Sequence, residues 1–283
     1  DTPGLEGNDV SYMGNISYNG DLYGFSSGVL TVEDNFNPEI GFLRRDNFKQ
    51  YSGSVRFSPR PESIDWIRRL NFNANTEYFW SADEKKLETR THQAQFVTEF
   101  ENSDQLRFQL SDSYEYLTRP FQISSGIFLQ PGNYNFTSFE TSYSFGQQRP
   151  ISGQISLRTG DFWSGKNTAL RFTSGRIEVS PQISIEPSYT INRVKLPEGE
   201  FDTKLGAVRL TYTFSPRMYL GGLLQYNSSG NSFSTNFRFR WEWSPGSELF
   251  IVYSDDRDTN PFNARSSTEL RNRGLLVKFT KLF

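Results

Sequence analysis

The chain has 283 residues, a formal charge of −2, no cysteine and a single histidine. The missing thiols exclude a disulfide frame, a zinc–thiolate centre and a cysteine nucleophile. The balanced charge argues against a nucleic-acid partner, which selects a basic surface. Only 35 % of residues are hydrophobic and the mean hydropathy is −0.62, so no run approaches the roughly 20 apolar residues of a membrane helix. Aromatic residues nevertheless make up 16 %, with 26 Phe and 14 Tyr.

Segments with a period of two follow one another from end to end, and that period is the pleat of a β-strand. Strand 9–18 sets Val10, Tyr12, Ile16 and Tyr18 against Ser11, Asn15 and Ser17. The reading continues with 22–33, 48–57, 67–80, 88–101, 105–117, 134–147, 151–161, 168–179, 182–195, 202–214, 218–227, 231–243, 247–254 and 269–283. In 67–80, Leu70, Phe72, Tyr78 and Trp80 oppose Asn71, Asn73, Asn75 and Glu77. In 182–195, Ile183, Ile185, Tyr189 and Ile191 oppose Ser184, Glu186, Ser188 and Asn192. The clearest case is NSFSTNFRFRWEW, where Phe233, Phe237, Phe239, Trp241 and Trp243 share one side and Arg238, Arg240 and Glu242 the other. The pattern blurs at 22–33 and near Gly175, where a bulge would reset the phase.

A strand with one aromatic and one charged face places those faces in different media. The expected fold is therefore all-β: an antiparallel up-and-down transmembrane barrel of the outer-membrane type, apolar side chains toward lipid and polar ones toward the lumen. Alternate residues satisfy the hydrocarbon, and the backbone bonds between strands, so low mean hydropathy is no obstacle.

The connections support this reading. One set is short and reuses Ser-Pro: Ser58-Pro59, Ser180-Pro181, Ser215-Pro216 and Ser244-Pro245, with Asn102-Ser103-Asp104 and Arg149-Pro150 in equivalent places. Proline belongs at strand ends because it presets φ and donates nothing to a ladder. The other set is read as longer and more variable: 34–47, 81–87, 118–133, 162–167, 196–201, 228–231 and 255–268. Short periplasmic turns opposite longer external loops are the outer-membrane pattern. The turn 58–66 departs from it, being the longest on the short side.

The last strand ends on Phe283, a terminal aromatic like that of outer-membrane proteins, with Lys281 interrupting its apolar row. Fifteen strands are an odd number, whereas bacterial single-chain barrels have even ones. The expectation is a single barrel domain over 1–283 that forms the C-terminal portion of a longer protein. No signal peptide opens the chain, and the completing strand would come from upstream or from a partner chain, unless one strand is uncounted here.

FNPEIGFLRR (36–45), RFSPRP (56–61), NRVKLPEGEFDTKL (192–205) and QYNSSGNSFSTNFRFRWEWSPGSELFIVY (225–253) occur in this order over most of the chain. Together they resemble the C-terminal β-barrel region of the bacterial DUF5916 family. The resemblance implies a larger protein whose N-terminal domain, similar to family 9 carbohydrate-binding modules, precedes the barrel. It also implies carbohydrate as a ligand. It transfers no activity.

Register places Arg56, Glu77, Glu99, Arg107, Glu115, Glu140, Arg158, Glu186, Arg209, Arg238, Arg240, Glu242 and Lys278 on the polar side. Mixed signs on neighbouring strands form cross-strand pairs that brace the wall, or rings of charge that select solutes. His92 falls on the apolar side with Ala94, Phe96 and Phe100, where it lacks the aqueous nucleophile that a general base needs. Asp255, Asp256 and Asp258 could offer oxygen ligands to calcium, though Arg257 interrupts them and a solvated loop is the plainer reading. Tryptophans and tyrosines near strand ends read as interfacial girdles rather than sugar platforms. The expected function is a pore or uptake channel in the bacterial outer membrane, with lipid around it and carbohydrate as the ligand that the resemblance suggests. No catalytic residue, cofactor or metal is assigned. The alternatives are a non-conducting anchor that displays an N-terminal domain or docks a partner protein, a carboxylate-pair glycoside hydrolase, and a soluble sandwich with its rings buried.

Overall fold

A computed structural model describes residues 8–282 except 39, 44, 83–85, 261 and 263–268. Parts of the FNPEIGFLRR segment, most of the loop after Asn260, and the terminal Phe283 therefore lie outside the described residues. The strands are β1 (Ser11–Asn19), β2 (Tyr23–Val32), β3 (Phe48–Phe57), β4 (Ile67–Ser81), β5 (Leu87–Phe100), β6 (Gln105–Leu117), β7 (Phe121–Ser124), β8 (Ile127–Leu129), β9 (Gly132–Phe145), β10 (Ile151–Phe162), β11 (Gly165–Ser180), β12 (Ile183–Leu196), β13 (Gly199–Ser215), β14 (Met218–Asn227), β15 (Ser232–Ser244), β16 (Ser247–Asp258) and β17 (Glu269–Thr280).

Fifteen of these make one antiparallel up-and-down sheet in chain order, with β6 followed directly by β9. β7 and β8 pair as a separate two-stranded sheet. All fifteen expected strands are present, and the unforeseen pair leaves the count of the large sheet odd. The sheet order runs from β1 to β17, and among the described residues no ladder joins those two. Both are exposed along almost their whole length, as edge strands are.

Contacts divide the chain into two units: Asp1–Thr141 with Arg158–Asn167 and Val194–Glu200, and Ser142–Leu157 with Thr168–Arg193 and Phe201–Phe283. In the first unit, Tyr23, Phe57, Phe72, Phe96 and Phe108 stand in register across five strands. Successive rings lie 5.2 Å (Tyr23–Phe57), 6.0 Å (Phe57–Phe72) and 4.8 Å (Phe72–Phe96) apart, and Phe108 stacks on Phe139 at 6.2 Å. One step toward the longer loops the row is Phe25, Val55, Ala74, Ala94 and Leu110. Its small alanines leave two hollows of about 700 and 570 Å³ on this face. Tyr51, Tyr78, Arg90 and Tyr114 form a further row beyond, while Trp66 stacks on Phe100 at the opposite end.

The second unit repeats the scheme. Tyr212, Leu220, Phe239, Ile251 and Val277 are in register on one face, with Trp241, Leu249 and Phe279 in the row beyond. Thr211, Gly221 and Arg238 are in register on the other. Strict alternation fails at the end of the sheet, where Phe250, Val252 and Leu276 stand on the polar face beside Arg240 and Arg238.

The burial is inverted relative to a water-soluble protein. Among the described residues seven apolar side chains are buried, whereas thirteen polar ones are. Val55 is 59 % exposed and Leu110 50 %, while Ser138 and Ser142, on the polar face of β9, are 6 % and 4 % exposed.

The turns follow from local chemistry. Pro245 and Gly246 connect β15 to β16, and Gly246 has φ +78°, as the third position of a type II turn requires. The loop set is shorter than the sequence suggests. Trp163-Ser164 and Pro197-Glu198 are two-residue connections, because β10 to β13 continue through positions read as loop. The contrast in loop length survives at 33–47 and 118–131 among the described connections. β7 and β8 occupy the latter. Leu129 is fully buried, and Ile127 lies so close to Gly199 that a Cβ there would sit 2.9 Å from Ile127 Cδ1. Trp163, at φ +52°, holds a backbone region that bulky residues avoid. Its ring packs against Phe121 (5.8 Å), Tyr134 (5.4 Å) and Phe136 (5.6 Å).

Candidate functional site

The charged residues of the polar face are the candidate site, and the structure sorts them by their partners. At the turn end of the first unit the guanidinium of Arg56 donates to Ser58 Oγ (2.8 Å), Asn19 Oδ1 (2.9 Å), Asp21 O (3.1 Å) and Gly20 O. Ser58 in turn donates to Asn71 Oδ1 at 2.8 Å. Asn71 donates to Glu99 Oε1 at 3.3 Å, and Arg69 grips the same carboxylate with contacts of 2.8 and 3.2 Å. Ser58 and Asn71 are buried. This network ties the β1–β2 and β3–β4 turns together, so Arg56 and Glu99 brace the end of the sheet. Beside it, Arg60 pairs with Asp21 in the turn, one contact being 2.7 Å. The hydrogen bond from Arg60 holds the Asp21 carboxyl below the usual carboxylate range, against a smaller opposing effect of desolvation.

Farther along, Gln50 donates to Glu77 at 2.5 Å. Glu115 stands opposite Thr89. Arg107 faces Val97, with its Nε buried and unpaired among the described residues. Arg158 donates to Ser138 Oγ at 2.9 and 3.2 Å. Glu140 is two residues from Ser138 on the same face of β9.

In the second unit Arg240 donates to Glu248 at 2.9 Å and lies 3.5 Å from Glu242; Lys278 is 3.9 Å from Glu248. Glu242 and Glu248 are directly opposed, a repulsive pairing that Arg240 neutralises. Arg209 is 3.8 Å from Glu186. Among the described residues Arg238 donates only to Asn236 Oδ1, at 3.0 Å. Arg69 and Glu248 are the partners missing from the sequence-based set: Arg69 stands directly opposite Glu99 beside a bulge, and Glu248 is diagonal to Arg240.

His92 is on the apolar face, as its register indicates. Its Nδ1 is 2.8 Å from Thr76 Oγ1 and its Nε2 3.2 Å from the Tyr78 hydroxyl. Asp112, opposite His92, receives Arg90 at 2.7 Å and Thr137 at 3.1 Å. The three aspartates read as a loop are strand residues of β16. Asp255 is gripped by Arg257 (2.6 Å) and Arg273 (2.8 Å), and Asp258 pairs with Arg271 at 3.2 Å. Guanidinium groups thus take oxygens of Asp255 and Asp258 that calcium would need, while Asp256 stands opposite Ser234. Among the described residues no group of His, Cys, Asp and Glu is arranged to hold a metal ion.

No protein-family model matches the chain, no curated protein is significantly similar to it, and no solved structure matches it.

Proposed function

We propose that this chain is the membrane-embedded sheet of a bacterial outer-membrane channel. Its apolar face meets lipid, and its charged face borders a water-filled path for hydrophilic solutes. The inverted burial carries this reading. In water each fully exposed Leu, Val or Phe would forgo about 1.5–3 kcal/mol, whereas in a bilayer that face is already in its preferred medium. The height of the band agrees. From Phe100 back to Arg90, in register with Tyr78, β5 takes ten steps, about 33 Å of strand at ~3.3 Å per residue. A tilt of about 40° projects this to about 25 Å, the height of an outer-membrane apolar band, with aromatic residues at both margins. His92 and Asp112 lie toward the loop-end margin with their polar atoms engaged by neighbours, which suits an interface.

An odd sheet with two exposed edges leaves backbone groups that hydrocarbon does not tolerate. The reading therefore includes at least one further strand, from a longer polypeptide or a partner. The test is reconstitution into planar bilayers. Discrete conductance steps are expected. A protein that stays monodisperse and folded in water without detergent would overturn the membrane assignment; insertion without conductance would replace the channel by an anchor.

A further inference from the structure

The inner-face arginines are not equivalent. On the polar face of β12 to β17, Arg209, Arg238, Arg240 and Lys278 stand with Glu186, Glu242 and Glu248, while Asp256 and Asp258 lie on the same face farther along β16. Arg240 and Lys278 take Glu242 and Glu248, and Arg209 has Glu186 only at 3.8 Å. Arg238 uses Nε on Asn236, and its two Nη groups meet no protein acceptor among the described residues.

Beside it the sheet has a hole. Gly221 is in register between Thr211 and Arg238. A Cβ there would meet only Arg238 O, at 4.0 Å. Packing does not demand the glycine, since a side chain would stand in open space. Its neighbour Gly222 differs, because a Cβ there would lie 2.7 Å from the Phe237 ring. The space over Gly221 is part of a hollow of about 260 Å³ bounded by Arg209, Thr211, Tyr219, Asn236 and Arg238. The hydroxyls of Thr211 and Tyr219 make no hydrogen bond among the described residues, although Tyr219 stands opposite Arg240.

We infer that this hollow binds a small hydroxylated organic acid. The carboxylate takes the free fork of Arg238, a geometry that favours two parallel bonds, with Arg209 as the second cation. The hydroxyls of Thr211 and Tyr219 meet the polar body of the ligand. This rests on the reading of the charged face as hydrated and names the solute class that would pause there.

The experiment is calorimetric titration of the detergent-folded protein with gluconate and, separately, with neutral glucose at constant ionic strength. Saturable gluconate binding is expected, with glucose at least tenfold weaker. R238Q and G221F, the second filling the hollow, should each weaken gluconate at least tenfold. R238K, which keeps the charge but not the fork, should also weaken it. R176Q, removing a guanidinium paired with Glu178, should not. Arg238 is exposed, so R238Q decides the matter even if G221F fails to fold. Equal gluconate affinity in R238Q, or glucose as tight as gluconate, overturns the site. Conductance of the same preparations separates the two readings: channels with no gluconate binding overturn the site alone, and gluconate binding without channels overturns the channel alone.

Discussion

Arg56 and Arg238 both fall on the charged side by simple alternation, yet one is locked into a turn and the other holds only its strand neighbour Asn236 among the described residues. Alternation fixes a residue's face; it does not fix which partner lies diagonally across the ladder, because that depends on a register that bulges reset. The candidate site was therefore legible as a face but not as a geometry. The Arg69–Glu99 grip and the opposed Glu242–Glu248 pair needed the pairing itself. Asp21 and Arg60 give a prediction at this scale. A carboxyl with a lowered folded pKa adds stability that is present above its unfolded value, about 3.9, and disappears as pH falls through the folded value. Following the Asp21 carboxyl by NMR should show a midpoint below the ordinary range, rising toward it in Arg60→Gln. An unmoved midpoint would mean that the turn pair does not form.

Single strands were the most legible elements. β3, β6 and β14 coincide with the expected spans 48–57, 105–117 and 218–227, since each has a sustained period of two bounded by turn residues. β7 and β8 were missed because four and three residues are too few for a period, and Pro120 and Pro131 frame them like a loop. Their anchorage is testable. Leu129→Ala deletes a fully buried side chain and should cost about 2–5 kcal/mol. Hydrogen exchange should speed up in 118–131 and leave β3 and β4 protected. Equal protection across 118–131 would show that the hairpin is held some other way. The apolar face gives a second test. Leu110→Arg should destabilise the bilayer-folded protein by about 2–4 kcal/mol, as an arginine near mid-bilayer does, whereas an arginine at Ser111 on the opposite face should cost less. Similar losses at both positions would show that the two faces do not meet different media.

For the molecule as a whole, composition alone misleads: a mean hydropathy of −0.62 averages an aromatic face with a charged one. The all-β class and the up-and-down order were readable because each strand declares its own two sides and each turn is local. Whether the first and last strands meet was not, because closure is a property of the margins and no periodicity encodes it. One consequence follows from the connectivity. Apart from the step from β6 to β9, each inner strand of the large sheet bonds to the strand made just before and the one made just after it. Loop-closure entropy is then small at nearly every stage, and assembly can advance hairpin upon hairpin in the order of synthesis. The detour through 118–131 is the one connection that carries strands of its own, and shortening it to a tight turn should hasten refolding into lipid vesicles while leaving both neighbours in place.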